Sequence, residues 1–244
     1  MFSLSAMLSS IPSRTIADLL PSACALCGQL CRGVVCEGCR GDTVIGRSRC
    51  RRCANPLAAI DAATRDCGAC LAAPPRFDAT VAAVDYDAPL DQLLLQLKFA
   101  ACLPLAGWFA GLLRDAVLRE QRRGHALPDL VAPVPLGRRR LVERGFNQAL
   151  EVARPLSRLL GVPCDARLAA RVVETAPQSM VAPAERAANV RAAFAVTAPV
   201  AGLHIAIVDD VMTSGRTLDA LAAALKQAGA ARVSNYVVAR TPPK

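Results

Sequence analysis

The chain has 244 residues, 53% of them hydrophobic and only 4% aromatic, with a formal charge of +9. That much apolar material builds a sizeable core, in one large domain or two smaller ones, and excludes a disordered or low-complexity chain. The basic excess points to polyanionic partners, but it counts cysteines as neutral thiols, whereas a four-thiolate zinc site carries a net charge of about −2.

Residues 1–22 read as an amphipathic helix. Leu4, Met7, Leu8, Ile11, Ile16, Leu19 and Leu20 are its apolar positions, and Arg14 is its only base. A secretory signal would need a charged start, an unbroken apolar stretch and a cleavage site. The most apolar later region, Phe99 to Leu113, is interrupted by Pro104, Gly107 and Gly111 and is shorter than a membrane span requires. The expectation is a cytoplasmic protein with no membrane insertion.

Residues 23–73 form a double zinc-knuckle module. Eight cysteines fall in four CxxC pairs: Cys24/Cys27, Cys36/Cys39, Cys50/Cys53 and Cys67/Cys70. The tight turn between two such cysteines presents both sulfurs to one tetrahedral metal, and a second pair closes the shell. Sequence-adjacent pairing gives Cys24, Cys27, Cys36 and Cys39 for one site and Cys50, Cys53, Cys67 and Cys70 for the other. Spacing alone leaves an interleaved arrangement open. The regular spacing and the lack of an export signal disfavour a disulfide framework. Closed thiolate shells leave no position for water activation, so the zinc is expected to be structural. Cys31, Cys102 and Cys164 have no obvious partner.

Pro74-Pro75 marks the change to a second pattern, residues 74–244, in which apolar runs alternate with amphipathic helices. Thr80 to Tyr86 reads as a strand. Leu90, Leu93, Leu94 and Leu97 mark one face of a helix that ends at Lys98-Phe99, and a further helix covers roughly 104–121. Leu130 to Pro135 is a short buried strand. Beyond it lie Gly137-Arg138-Arg139-Arg140 and Glu143-Arg144-Gly145-Phe146-Asn147-Gln148. A strand ending in prolines is expected to leave backbone N–H groups unpaired beside these guanidinium groups, and pyrophosphate suits such a site. The plainer alternative is a solvated basic loop capping the next helix.

The stretch that carries most chemistry is Val208-Asp209-Asp210-Val211-Met212-Thr213-Ser214-Gly215-Arg216-Thr217. It follows the apolar run Leu203 to Val208, which reads as a strand buried on both faces. It precedes a helix with Leu218, Leu221 and Leu225 on one face and Gly229 as its stop. Strand, loop and helix gather the N–H groups of residues 214–217 at a helix N-terminus beside three hydroxyls, a ready phosphate site. Asp209 and Asp210, at the carboxyl end of the strand, suit sugar hydroxyls or hydrated Mg²⁺. The alternative is a structural N-cap with solvated acids, but two consecutive carboxylates at a buried strand end repel each other unless counter-charged or used. A final strand, Val233 to Ala239, completes the α/β pattern of a mostly parallel sheet.

The motif resembles the phosphoribosyl pyrophosphate (PRPP) binding motif of type I phosphoribosyltransferases, with Ser214 where threonine is commoner. Over nearly the whole chain the sequence is similar to the ComF family of competence proteins. The shared features are the four knuckles, Tyr86 with Pro89, Leu97-Lys98-Phe99, Val134-Pro135-Leu136, Arg144-Gly145-Phe146-Asn147-Gln148-Ala149 and the acidic phosphate loop. Arg171, Thr175, Gln178, Arg186, Asn189 and Phe194 match a further spaced segment, in which Val173 replaces a common arginine.

The resemblance implies a type I phosphoribosyltransferase fold, a parallel sheet flanked by helices with a hood, preceded by the zinc module. It implies that Asp209 and Asp210 bind the ribose hydroxyls and, indirectly, Mg²⁺, and that Thr213, Ser214, Gly215 and Thr217, with Arg216 among them, hold the 5′-phosphate. Val134, Pro135 and Leu136 would form the pyrophosphate loop, supported by Arg144, and residues 171–189, with Arg171 and Gln178, a mobile loop. His125 and His204 receive no catalytic role. The implied function is PRPP-dependent chemistry in DNA uptake and natural transformation, with single-stranded DNA and DNA-uptake or recombination proteins as partners. One alternative keeps PRPP as a regulatory ligand without catalysis. Another is a nucleobase salvage enzyme, against which the long cysteine module argues. Arg47, Arg49, Arg51 and Arg52, clustered around the join of the two proposed metal sites, favour an anionic contact, but the chain is poor in the aromatics that stack on single strands.

Overall fold

The computed structural model describes residues 22–44, 46–57, 65–172 and 193–242. The N-terminal helix expected over residues 1–22 and most of the segment 171–189, including Gln178, therefore lie outside the described residues. Contacts divide the chain into two compact units, residues 1–44 and 45–244. The family-like cysteine module thus contributes its first half to one unit and its second half to the other, whereas the change in composition falls at Pro74-Pro75.

In the first unit, strands β1 (Ser22–Ala23) and β2 (Leu30–Cys31) pair antiparallel, and helix α1 (Glu37–Thr43) follows. Cys36 is the N-cap of α1, its sulfur accepting from the Cys39 N–H, so a ligand sulfur also performs the capping that serine commonly performs.

The second unit begins with the short helix α2 (Gly68–Ala72) of the second cysteine group and continues into an α/β fold. Its strands are β3 (Ala79–Asp85), β4 (Leu130–Pro133), β7 (His204–Met212) and β8 (Arg232–Arg240), all parallel in the spatial order β3-β8-β7-β4. Helices α3 (Leu90–Phe99), α4 (Pro104–Gln121), α5 (Arg138–Arg144), α6 (Gln148–Leu160) and α7 (Arg216–Gln227) connect and flank them. A separate antiparallel pair, β5 (Ala169–Arg171) with β6 (Phe194–Val196), brackets residues 173–192.

Eight of the nine residues of β8 are buried, as a central parallel strand covered on both faces requires. Helix α4 packs on β3 and β8, α6 on β7 and β4, and α7 on β8 and β6. The core that includes Ile205, Ile207, Val233, Leu218 and Leu221 also contains Cys50, Cys53, Cys70 and Phe77, so the second cysteine group is built into the hydrophobic core beside the sheet. A backbone bond from the Thr80 N–H to the Arg51 carbonyl, 2.9 Å, ties it to β3.

The expected element types hold, but two boundaries move. Strand β7 runs four residues past Val208, so Asp209 and Asp210 lie inside the ladder, Asp209 opposite Val237, because β8 is equally long and continues the pairing to Arg240. The strand at 130 stops at Pro133, two residues early.

Candidate functional site

Two groups of four cysteines bring their sulfurs together, Cys24, Cys27, Cys36 and Cys39 in the first unit and Cys50, Cys53, Cys67 and Cys70 in the second, all within 4.8 Å of one another in each group. The sets are sequence-adjacent, not interleaved. A tetrahedral zinc with Zn–S bonds of about 2.3 Å sets its sulfurs roughly 3.8 Å apart, and the pairs Cys27/Cys36 at 3.8 Å and Cys53/Cys67 at 3.5 Å fit that spacing. Knuckle amides already point at sulfur: the Cys36 N–H donates to Cys24 Sγ at 3.4 Å and the Cys67 N–H to Cys50 Sγ at 3.2 Å.

Burial works against charge on Cys24, yet the amides of Cys27, Cys36 and Leu26 bring its thiol down to about 6. Neighbouring sulfurs, that of Cys36 foremost, push Cys39 up, because four thiolates cannot share so small a space without a cation. This donor set is that of structural zinc. All eleven cysteines are free.

The acids and the phosphate loop occupy the carboxyl edge of the sheet. Side chains alternate along β7. Asp209 continues the row of Ile205 and Ile207, which face the core shared with α7, whereas Asp210 follows Ala206 and Val208. Asp210 is 4% exposed, and the Lys98 ammonium, from the end of α3, lies 3.0 Å from its Oδ2. Asp209 remains partly exposed. Burial first, and the neighbouring Asp210 carboxylate second, push its carboxyl well above the usual range. The pair is thus unevenly compensated: Asp210 has the Lys98 ammonium against it, whereas among the described residues Asp209 has no ion pair of its own.

Beyond Met212 the loop residues Thr213, Ser214, Arg216 and Thr217 are exposed. Gly215, at φ 75°, is the N-cap of α7, and no side chain caps that helix. The nearest approach to a cap, the Arg216 N–H to Ser214 Oγ at 3.5 Å, is at the limit of hydrogen bonding. Among the described residues no protein acceptor faces the N–H groups of Ser214 or Gly215. The glycine is required by its positive φ, and a Cβ there would also meet Met212 Cε at 2.6 Å. An open helix terminus with three hydroxyls around it binds a phosphate dianion well.

Across from this loop, the expectation of unpaired N–H groups at the end of β4 fails at Val134 but holds just beyond it, where among the described residues the N–H groups of Leu136 and Gly137 have no protein acceptor. The Val134 N–H donates to the Val208 carbonyl at 2.9 Å, because β7 is long enough to pair with it, and Pro133 and Pro135 have no N–H to offer. Asn147 holds this loop in place, donating through Nδ2 to the Val134 carbonyl at 3.0 Å while its Oδ1 caps α6 through the Ala149 N–H. Pro135 and Leu136 are partly exposed. Arg144, at the end of α5, stacks its guanidinium 5.2 Å from the centre of the Phe99 ring. Arg139 pairs with Glu143 at 2.8 Å.

Residues 98 and 99 therefore join the two halves of the site, Lys98 on the acids and Phe99 under Arg144. In the sequence, Leu97-Lys98-Phe99 stands as a shared family feature with no role of its own. Its signal was the demand of two adjacent acids for a counter-charge.

Arg171 lies on the β5/β6 pair with its guanidinium 5.6 Å from the Phe194 ring centre. Arg47, Arg49, Arg51 and Arg52 have acidic partners, Arg47 and Arg49 on Asp85 at 3.2 and 2.7 Å, Arg51 and Arg52 on Asp66 at 3.4 and 2.8 Å. His204 opens β7 at the opposite edge of the sheet, its Nε2 2.8 Å from Ser234 Oγ. No helix among the described residues is long and apolar enough to cross a membrane.

A phosphoribosyl transferase domain model matches residues 147–244, and a double zinc ribbon domain model matches residues 16–71. The chain is 37% identical to the DNA utilization protein YhgH of Salmonella typhimurium, over 91% of this chain and 98% of that protein. It is 31% identical to competence protein F of Haemophilus influenzae, over 84% of this chain and 90% of that one. Among solved structures, a purine phosphoribosyltransferase from Pyrococcus horikoshii aligns over 55% of this chain and 83% of its own, at 19% identity and a TM-score of 0.35.

Proposed function

The chain belongs to the ComF family, and from that premise we propose that it binds PRPP with Mg²⁺ and acts in DNA uptake and natural transformation. The observation that carries the ligand is the open N-terminus of α7, ringed by Thr213, Ser214 and Thr217 and set beside a carboxylate, Asp209, that has no full counter-charge. A ligand with a phosphate at one end, hydroxyls in its middle and a second anion at the other matches that order of groups.

In this reading the 5′-phosphate rests on the N–H groups of residues 214–217, with Arg216 at the rim. Asp209 and Asp210 accept from the ribose hydroxyls, with the Lys98 ammonium 3.0 Å from Asp210 Oδ2. The pyrophosphate lies over residues 134–136 against Arg144, whose guanidinium the Phe99 ring orients. Arg171 and Gln178 approach from the segment between β5 and β6. When the C1′–oxygen bond breaks, its electron pair leaves with pyrophosphate and positive charge grows on the sugar, so the protein's task is leaving-group neutralisation and water exclusion. Mg²⁺, held through the acids and the ligand's own oxygens, supplies further neutralisation when bound.

The acceptor is a nucleobase, nucleotide or nucleic acid, and the partners are single-stranded DNA and DNA-uptake or recombination proteins in the cytoplasm. Calorimetric titration with PRPP and Mg²⁺ tests the ligand. Wild-type protein is expected to bind, and Asp209→Asn/Asp210→Asn to lose most of the affinity; equal binding by the two sinks the reading. Mg²⁺-dependent release of pyrophosphate across an acceptor panel separates an enzyme from a protein that only senses PRPP.

A further inference from the structure

The last residue of β8, Arg240, is 7% exposed, and its guanidinium faces backbone carbonyls. Nε donates to the carbonyl of Cys53, a knuckle residue of the second cysteine group, at 2.8 Å. Nη1 donates to the carbonyls of Met212 at 2.9 Å, Thr213 at 2.5 Å and Thr241 at 2.5 Å. One side chain thus joins a metal knuckle to the first two residues of the phosphate loop. Burying a guanidinium is costly unless its donors are met, and here Nε and Nη1 are met by these two segments and Thr241.

Two physical consequences follow from the bonds to residues 212 and 213. The peptide unit is planar and trans, so a carbonyl drawn toward Arg240 turns the N–H of the next residue the opposite way. The Met212 carbonyl is also held by the Thr241 N–H at 3.0 Å, whereas holding the Thr213 carbonyl inward falls to Arg240 and turns the Ser214 N–H outward, to the side where the phosphate would sit. In addition, a zinc bound by four thiolates is a centre of net charge about −2, and Arg240 is the buried cation beside it. With the metal in place, Cys53 is fixed and the guanidinium has both a rigid anchor and a counter-charge.

We propose that Arg240 is a positioning residue through which the second zinc site sets the geometry of the phosphate loop, so that metal occupancy at Cys50, Cys53, Cys67 and Cys70 controls affinity for the phosphorylated sugar. This rests on the reading that the loop binds PRPP. Lysine cannot replace the arginine, because a single ammonium cannot reach the Cys53 carbonyl and the loop carbonyls from separate, fixed nitrogens. Coupling of this kind is reciprocal: if zinc tightens PRPP, PRPP must tighten zinc.

The test has two arms on the full-length, zinc-loaded protein. In the first, Arg240→Lys is titrated with PRPP and Mg²⁺ by calorimetry beside wild type, with zinc content measured on both; the expected loss of affinity is about tenfold at unchanged zinc content. In the second, which needs no change at Arg240, zinc release to a colorimetric chelator is timed with and without PRPP. The Cys27→Ser chain, whose first site is disabled, identifies the phase from the second site, and PRPP is expected to slow that phase alone. Wild type that binds PRPP while the variant binds equally well and zinc leaves at the same rate overturns the role of Arg240. Wild type that fails to bind PRPP overturns the functional reading, and this inference with it.

Discussion

Replacing Lys98 by methionine keeps most of the side chain's bulk on α3 but removes the cation 3.0 Å from Asp210 Oδ2. Both groups are well covered, with side chains 17% and 6% exposed, so solvent screens the pair only weakly. At that distance and an effective dielectric of about 20 the attraction is about 5 kcal/mol. Deleting one member of a buried pair commonly costs about 3–5 kcal/mol, mostly the stranded charge of the other. Allowing for the residual exposure of the ammonium, the expected loss is about 3 kcal/mol, which for a chain of this size lowers Tm by roughly 6–12 °C. Thermal unfolding followed by circular dichroism measures it, and the decisive comparison is Lys98→Met/Asp210→Asn, in which no charge is stranded. The double variant should recover most of the lost stability. A Tm for Lys98→Met within about 2 °C of wild type, or a double variant no better than the single one, refutes the compensation argument.

Asp209→Asn is expected to stabilise the ligand-free protein. The folded-state pKa of Asp209 is raised, so its favourable contribution is full below the usual carboxylate value of 3.8 and disappears as pH rises through the raised value. The amide avoids that loss, so its Tm should equal that of wild type near pH 3.8 and exceed it by about 2 °C at neutral pH; no rise on going to neutral pH would contradict the assignment. Gly215→Ala, at φ 75°, should cost about 1–2 kcal/mol and weaken PRPP binding, and a variant with unchanged affinity would show that the loop tolerates another conformation. Zinc analysis should give one metal per cysteine group, with proton release on loading and weaker retention as pH falls; metal-free protein with unaltered thermal unfolding would remove zinc from the account of stability.

The element types were legible in residues 203–217, because a doubly buried strand, a hydroxyl-rich turn and an amphipathic helix each leave a local pattern. The four CxxC pairs were equally legible, since a knuckle is a local structure. Pairing between knuckles was not, because it depends on which turns approach in space. Lys98, Phe99 and Arg240 were missed as site residues for the same reason: Lys98 and Asp210 are joined only when α3 lies over the end of β7. The length of β7 was misread because an Asp-Asp pair ends a strand by composition, whereas β8 extends it by hydrogen bonding. The basic stretch from Arg47 to Arg52 looks wholly uncompensated in sequence because Asp66 and Asp85, two carboxylates shared among its four arginines, come from later segments of the chain.

The position of β8 in the sheet has a consequence for how the chain acquires its shape. It stands between β3 and β7 although it follows both in sequence, and the Thr80–Asn235 contact that seals it to β3 spans 155 residues. Until β8 arrives, β3 shows an unpaired parallel edge and the carbonyl of Cys53 waits for a donor 187 residues away. During synthesis all eight knuckle cysteines emerge long before the strand that fixes one of them, and the nascent chain carries β3 without its partner strand for most of its elongation.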